Sequence, residues 1–103
     1  MAGDSIRVRA RAADGSINVR VLVRHPMDNG RREADGSFSV PPHHITELSC
    51  WYGDELVLQT AWGPGVAKNP YVAFDLLAAA GGTLRVRWQD NLGGSDERSL
   101  PVN

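Results

Sequence analysis

Hydrophobic and polar residues alternate along most of the chain. Ile6, Val8, Ala10 and Ala12 fall on one side of an extended segment, and Arg7, Arg9 and Arg11 fall on the other. This is the period-two signature of a strand with one buried and one solvated face. Asp14-Gly15 supplies a turn, and Ile17, Val19, Val21 and Val23 resume the alternation, so the two runs predict a hairpin. Pro26 turns the chain away from helix at His25. The following "DNGRREADG" carries two Gly-terminated turn signals, which predicts a long exposed loop over 26–37. A short strand is expected at "SFSV", before Pro41 and Pro42.

The second half repeats the theme. "ITELSCWY" sets Leu48, Cys50 and Tyr52 against Glu47, Ser49 and Trp51. Gly53-Asp54 turns it into "ELVLQTAW", where Leu56, Leu58 and Trp62 share a side. "TLRVRWQD" sets Leu84, Val86 and Trp88 against Arg85, Arg87 and Gln89, and after "NLGG" the segment "ERSLPV" is placed to close the sheet. About seven short strands with a turn signal roughly every ten residues predict an all-β sandwich or small barrel. One stretch reads two ways. In "NPYVAFDLLAAAGG", Asn69 suits a helix cap, Pro70 a first helical position and Gly81 a stop, yet Val72, Phe74 and Leu76 also fit one face of a strand.

Composition narrows the functional classes. A chain of 103 residues with 42% apolar content closes a single core, so residues 1–103 are read as one domain. Cys50 is the only cysteine, which leaves no internal disulfide and no Cys-x-x-Cys redox or zinc pair. No run of eighteen apolar residues suggests a membrane span, and no apolar region of a signal peptide follows the N-terminus. Charge is unevenly spread. Residues 1–32 hold seven arginines against three acids, and the remainder holds four bases against nine acids. Such a segment suits a solvated face, an acidic partner or a nucleic-acid-binding barrel. The seven aromatics do not interleave with Arg7, Arg9 and Arg11, which argues against stacking of bases.

Candidate chemistry is sparse. Cys50 has acidic neighbours, Glu47 and Asp54, and alternation turns it inward, so it reads as a small buried hydrophobe and not as a nucleophile. His43 and His44 point to opposite faces of an extended chain and His25 stands apart, so no metal site and no cofactor are expected. Asp90 and Asn91 are assigned to the "DNLGG" turn. The connection "WGPGVAKNPY" is different. Trp62, Gly63, Pro64, Asn69, Pro70 and Tyr71 put rigid backbone beside aromatics with polar edges, the make-up of a surface that loses little entropy on docking, and they are the candidate partner interface.

"SIRVRA", "HPMDNG", "WGPGVAKNPYVAF" and "WQDNLGG", in this order and at these distances, resemble the SoxZ family of the bacterial thiosulfate-oxidising Sox system. The resemblance covers nearly the whole chain. It implies an immunoglobulin-like sandwich, and hence a strand over 70–76. It also implies a non-catalytic role as the folded half of a heterodimer with a SoxY-like subunit, which bears the sulfur substrate on a cysteine in a glycine-rich arm and meets other Sox proteins. The present chain ends "ERSLPVN" and shows no such arm. A periplasmic location follows from the resemblance through export with a signal-bearing partner, with self-association expected when the chain is produced alone. The alternatives left by the residues themselves are a generic sandwich interaction module and a basic nucleic-acid-binding barrel.

Overall fold

The computed structural model describes residues 3–28, 30–63, 66 and 68–103, apart from the side chain of Phe38. Its described elements are all strands: β1 Ile6–Ala13, β2 Ser16–Val23, β3 Arg31–Arg32, β4 Phe38–Val40, β5 Ile45–Tyr52, β6 Glu55–Ala61, β7 Tyr71–Leu76, β8 Thr83–Asp90 and β9 Ser95–Pro101. Seven of them form two antiparallel sheets, β1-β2-β7 and β6-β5-β8-β9, and β3 and β4 make a separate two-stranded arm. The result is an immunoglobulin-like β-sandwich carrying one arm.

The first hairpin pairs as its alternation requires, from Ile6 opposite Val23 to Ala13 opposite Ser16, through a turn in which Asp14 and Gly15 both take positive φ. That register sends Ile17, Val19, Val21 and Val23 into the core, where they meet Ile45, Leu48 and Cys50 of β5 and Leu84 and Val86 of β8. Segment 71–76 is strand. Val72 pairs with Val21 and Phe74 with Val19, so the apolar alternation is satisfied by β2. Asn69 takes φ +53° and ends a turn instead of capping a helix.

Two irregularities in β5 displace the simple face assignment. A register shift between Ile45 and Glu47 lets Ile45 and Leu48, three positions apart, both reach the core. A second shift falls opposite Val57: Cys50 pairs with Leu58 and Trp51 with Leu56. Val57 and Leu58 therefore pack against the core, while Leu56, expected beside Leu58, is exposed next to Trp51. The expected loop over 26–37 is also partly ordered by pairing. Met27 is buried, Asp28 bridges to His43, and Arg31 pairs with Val40.

The two sides of the sandwich differ. On one, Arg98 of β9 donates to the Ile6 carbonyl of β1 across the sheets. On the other, no described hydrogen bond joins edge strands β6 and β7; inward residues of the edge strands are half-buried on both sides, Val8 and Ala10 of β1 as well as Val57, Leu58, Val72, Phe74 and Leu76, whereas those of central β2 are sealed.

Candidate functional site

β6 ends at Ala61 and β7 begins at Tyr71, and of the connection between them residues 62, 63, 66 and 68–70 are described. Trp62 donates its N–H to the Thr46 carbonyl and lays its half-buried ring against the core. Gly63 is exposed, with free space where a Cβ would stand. Pro64 lies outside the described residues. Asn69 clasps His25 twice: its N–H donates to the His25 carbonyl, and its side-chain Oδ1 accepts the His25 N–H, both at 3.1 Å. The buried Pro70 accepts the Val23 N–H on its carbonyl at 3.0 Å. Asn69 and Pro70 thus dock the connection onto the end of β2. Tyr71, in register with Leu22, remains 52% exposed on the outer side of the sheet.

Cys50 lies at the centre of β5 with no exposed surface. Burial pushes its thiol up to about 12, because a thiolate among Leu, Ile and Val side chains would lose its hydration. A thiol held protonated and out of reach neither attacks nor carries a substrate.

The sequence pattern left the three partners of one cluster far apart. His25 after β2, His43 before β5 and Asp90 at the end of β8 place ligand-type atoms within 4.8 Å of one another. Nε2 of His25 lies 3.1 Å, and Nε2 of His43 2.8 Å, from the same Oδ2 of Asp90. The other oxygen, Oδ1, accepts the N–H groups of Leu92 and Gly94. Asp90 therefore shapes the "DNLGG" turn as its sequence predicts, and receives two histidines besides. Burial alone would raise its pKa, but the donors from His25, His43, Gly94 and Leu92 outweigh it and hold the carboxyl at about 2. The two rings meet edge-on at 4.5 Å, and Trp88 packs edge-on against His25 at 5.2 Å.

Two imidazoles and a carboxylate are suitable donors for a divalent metal. The hydrogen bonds around His25 oppose that use. Its Nδ1 accepts the Met27 N–H at 3.0 Å, which leaves the ring proton on Nε2, facing Asp90. A metal at Nε2 would need that proton moved to Nδ1, where it would meet another N–H. The cluster is built as a hydrogen-bonded brace joining β2, β5 and β8. His44, whose ring turns elsewhere, is held through its backbone N–H by Asn91 Oδ1.

The sandwich thus seals its thiol in the core and braces two histidines on Asp90. A family model for the sulphur oxidation protein SoxZ matches residues 6–101, and the chain belongs to this family. Its role therefore lies in the Sox sulfur-oxidation system. A search of curated proteins finds no match. Among solved structures, a variant superoxide reductase (neelaredoxin) from Ignicoccus hospitalis is 25% identical with a TM-score of 0.68, the alignment covering 99% of this chain and 81% of that one. A hypothetical protein from Pyrococcus horikoshii is 17% identical with a TM-score of 0.68, covering 100% and 95% of the two chains. The superoxide reductase from Nanoarchaeum equitans reaches 0.69 at 11% identity, covering 95% and 91%. These likenesses establish the sandwich fold.

Proposed function

We propose that the chain is the non-catalytic partner of a SoxY-like subunit, forming a one-to-one heterodimer in which the sulfur substrate is held on the other chain's cysteine. The observation that carries this reading is the state of Cys50: a sulfur-oxidation subunit whose sole cysteine is sealed in the core needs its thiol from elsewhere. The heterodimer reaches the periplasm by export on the partner's leader.

The interface is the open side of the sandwich, made of the 62–71 connection and the edges it joins. Half-buried Val72, Phe74 and Leu76 supply apolar area there, and Tyr71, on the outer face of the same strand, supplies a rigid anchor with a polar tip at its margin. Co-purification of a tagged SoxY-like partner with Tyr71→Ala and Trp62→Ala variants tests this. Tyr71→Ala is expected to keep the wild-type melting temperature and to weaken the complex at least tenfold, about 1.4 kcal/mol. Trp62→Ala is expected to weaken the complex and also to lower stability by roughly 2 kcal/mol, since its ring supports the core. Unchanged affinity in both variants would move the interface elsewhere.

A further inference from the structure

The two sheets treat their outward arginines differently. On the four-stranded sheet, Arg85 pairs with Glu97 and lies over the Trp51 ring at 4.1 Å, and Arg87 stands opposite Glu97. Each cation there has an acid or an aromatic face beside it. On the three-stranded sheet, Arg9 stands directly opposite Arg20, with Arg7 and Arg11 two positions to either side on β1. Like charges facing each other across a ladder oppose pairing. The one acid in these rows, Asp75, accepts from Asn18, whose own oxygen accepts from Arg20. Among the described residues, Arg7, Arg9 and Arg11 have no hydrogen bond or ion pair with a side chain.

The surface between these arginines is hollowed. Arg9, Arg11, Asn18 and Arg20 ring a depression of about 110 Å³. It adjoins a second of about 160 Å³ that shares Arg9 and Arg20 and adds Arg7, Leu22 and Tyr71. A third, of about 390 Å³, continues from Arg7 and Leu22 to Arg24 and Arg98, with Asp4 and Asn69 also in its lining. The three share lining residues and follow one another along the face, with guanidiniums from Arg7, Arg9, Arg11, Arg20 and Arg24, the single acid Asp4 at one end, and two exposed apolar side chains, Leu22 and Tyr71.

We infer that the outer face of the β1-β2-β7 sheet is a docking groove for an extended acidic segment of a second protein. Charge complementarity selects the occupant. Arginines two residues apart on β1 start from backbone positions about 7 Å apart, the same spacing as alternate residues of an extended acidic peptide. Leu22 and Tyr71 accept the apolar residues between them. A nucleic-acid strand would need a series of aromatics for its bases, and the groove offers only Tyr71. Carboxylates held on a solvated face bind quickly and release quickly, which suits a carrier that must leave each enzyme it visits. The groove meets the proposed partner interface at Tyr71 and Asn69, so the arginine variants, which leave both residues in place, are the ones that test it.

The test titrates the full chain with poly-L-glutamate and, separately, with single-stranded oligothymidine, at about 20 mM and about 150 mM salt. Wild type is expected to bind polyglutamate more tightly than oligothymidine at both salts, with affinity falling about tenfold or more across the range. Arg9→Glu and Arg20→Glu, each checked by circular dichroism, are expected to weaken polyglutamate binding at least fivefold, whereas Arg87→Glu on the opposite sheet is expected to leave it unchanged. Arg20→Lys keeps most of the binding and shows that charge, not folding, is lost in Arg20→Glu. Tighter binding of oligothymidine at about 150 mM salt would replace the acidic protein with nucleic acid. Equal loss with Arg87→Glu, or none with either groove variant, would overturn the assignment.

Discussion

At the residue scale, the most heavily committed side chain is Asp90. One carboxylate takes four donors: two from the turn it opens, and two from histidine rings that tie in the segments after β2 and before β5. Its folded-state pKa of about 2 lies below the ordinary 3.8, so ionised Asp90 stabilises the fold above about pH 4, and that stabilisation is lost as pH falls toward 2. The expected size is on the order of 2 kcal/mol. Asp96 behaves alike: burial opposes its charge, but the Ser5 hydroxyl and the backbone N–H groups of Gly3, Ser5 and Glu97 hold it at about 2. Thermal melts of Asp90→Asn are therefore expected to show a clear deficit at neutral pH that narrows as pH falls from about 4 to about 2. A deficit that stays constant over that window would mean that Asp90 acts through shape alone.

At the scale of elements, the legible parts of the sequence were those where one face is buried and the turn chemistry is explicit. The β1-β2 hairpin follows directly from alternating apolar positions about Asp14-Gly15. The β5-β6 pair is harder, since a bulge adds one residue without changing the composition of the run, so Leu56 turns outward despite its even spacing from Leu58. At 70–76 the local signals for helix and strand conflict, and tertiary pairing with β2 decides. Of the candidate site, the inward Cys50 was legible because alternation is local. The histidine brace was not, since contacts between residues 25, 43 and 90 depend on how three elements meet.

The arm has its own local determinant. Gly30 has φ +78°, and a Cβ there would stand 2.5 Å from the Val40 carbonyl oxygen and 2.9 Å from the Pro42 nitrogen, both backbone atoms with little room to yield. Gly30→Ala is expected to separate β3 from β4 while leaving the sandwich intact. Hydrogen exchange would then quicken at Arg31 and Val40 and stay slow in β2 and β8. Loss of protection throughout would show that the arm is needed for the core.

At the scale of the whole molecule, the chain is longer and thinner than its length requires. Its extents are 56 × 25 × 19 Å and its radius of gyration is 15.7 Å, where a compact domain of this size has about 13 Å. An extended outline with one open apolar edge and one basic face has area to spare for two partners on different sides. The apolar edge suits a stable subunit, since burial of Val72, Phe74 and Leu76 is insensitive to salt, and the arginine face suits a transient one.

On the proposed reading, the sulfur chemistry belongs to the partner's thiol and this chain is the scaffold. Native mass spectrometry of the heterodimer, taken during thiosulfate turnover and followed by peptide mapping, tests it most directly. The account predicts a one-to-one complex in which every sulfur-derived mass increment maps to a cysteine of the partner, with Cys50 unmodified and Cys50→Ser equally active. A sulfur adduct on Cys50 during turnover, or loss of turnover in a folded Cys50→Ser complex, would contradict it.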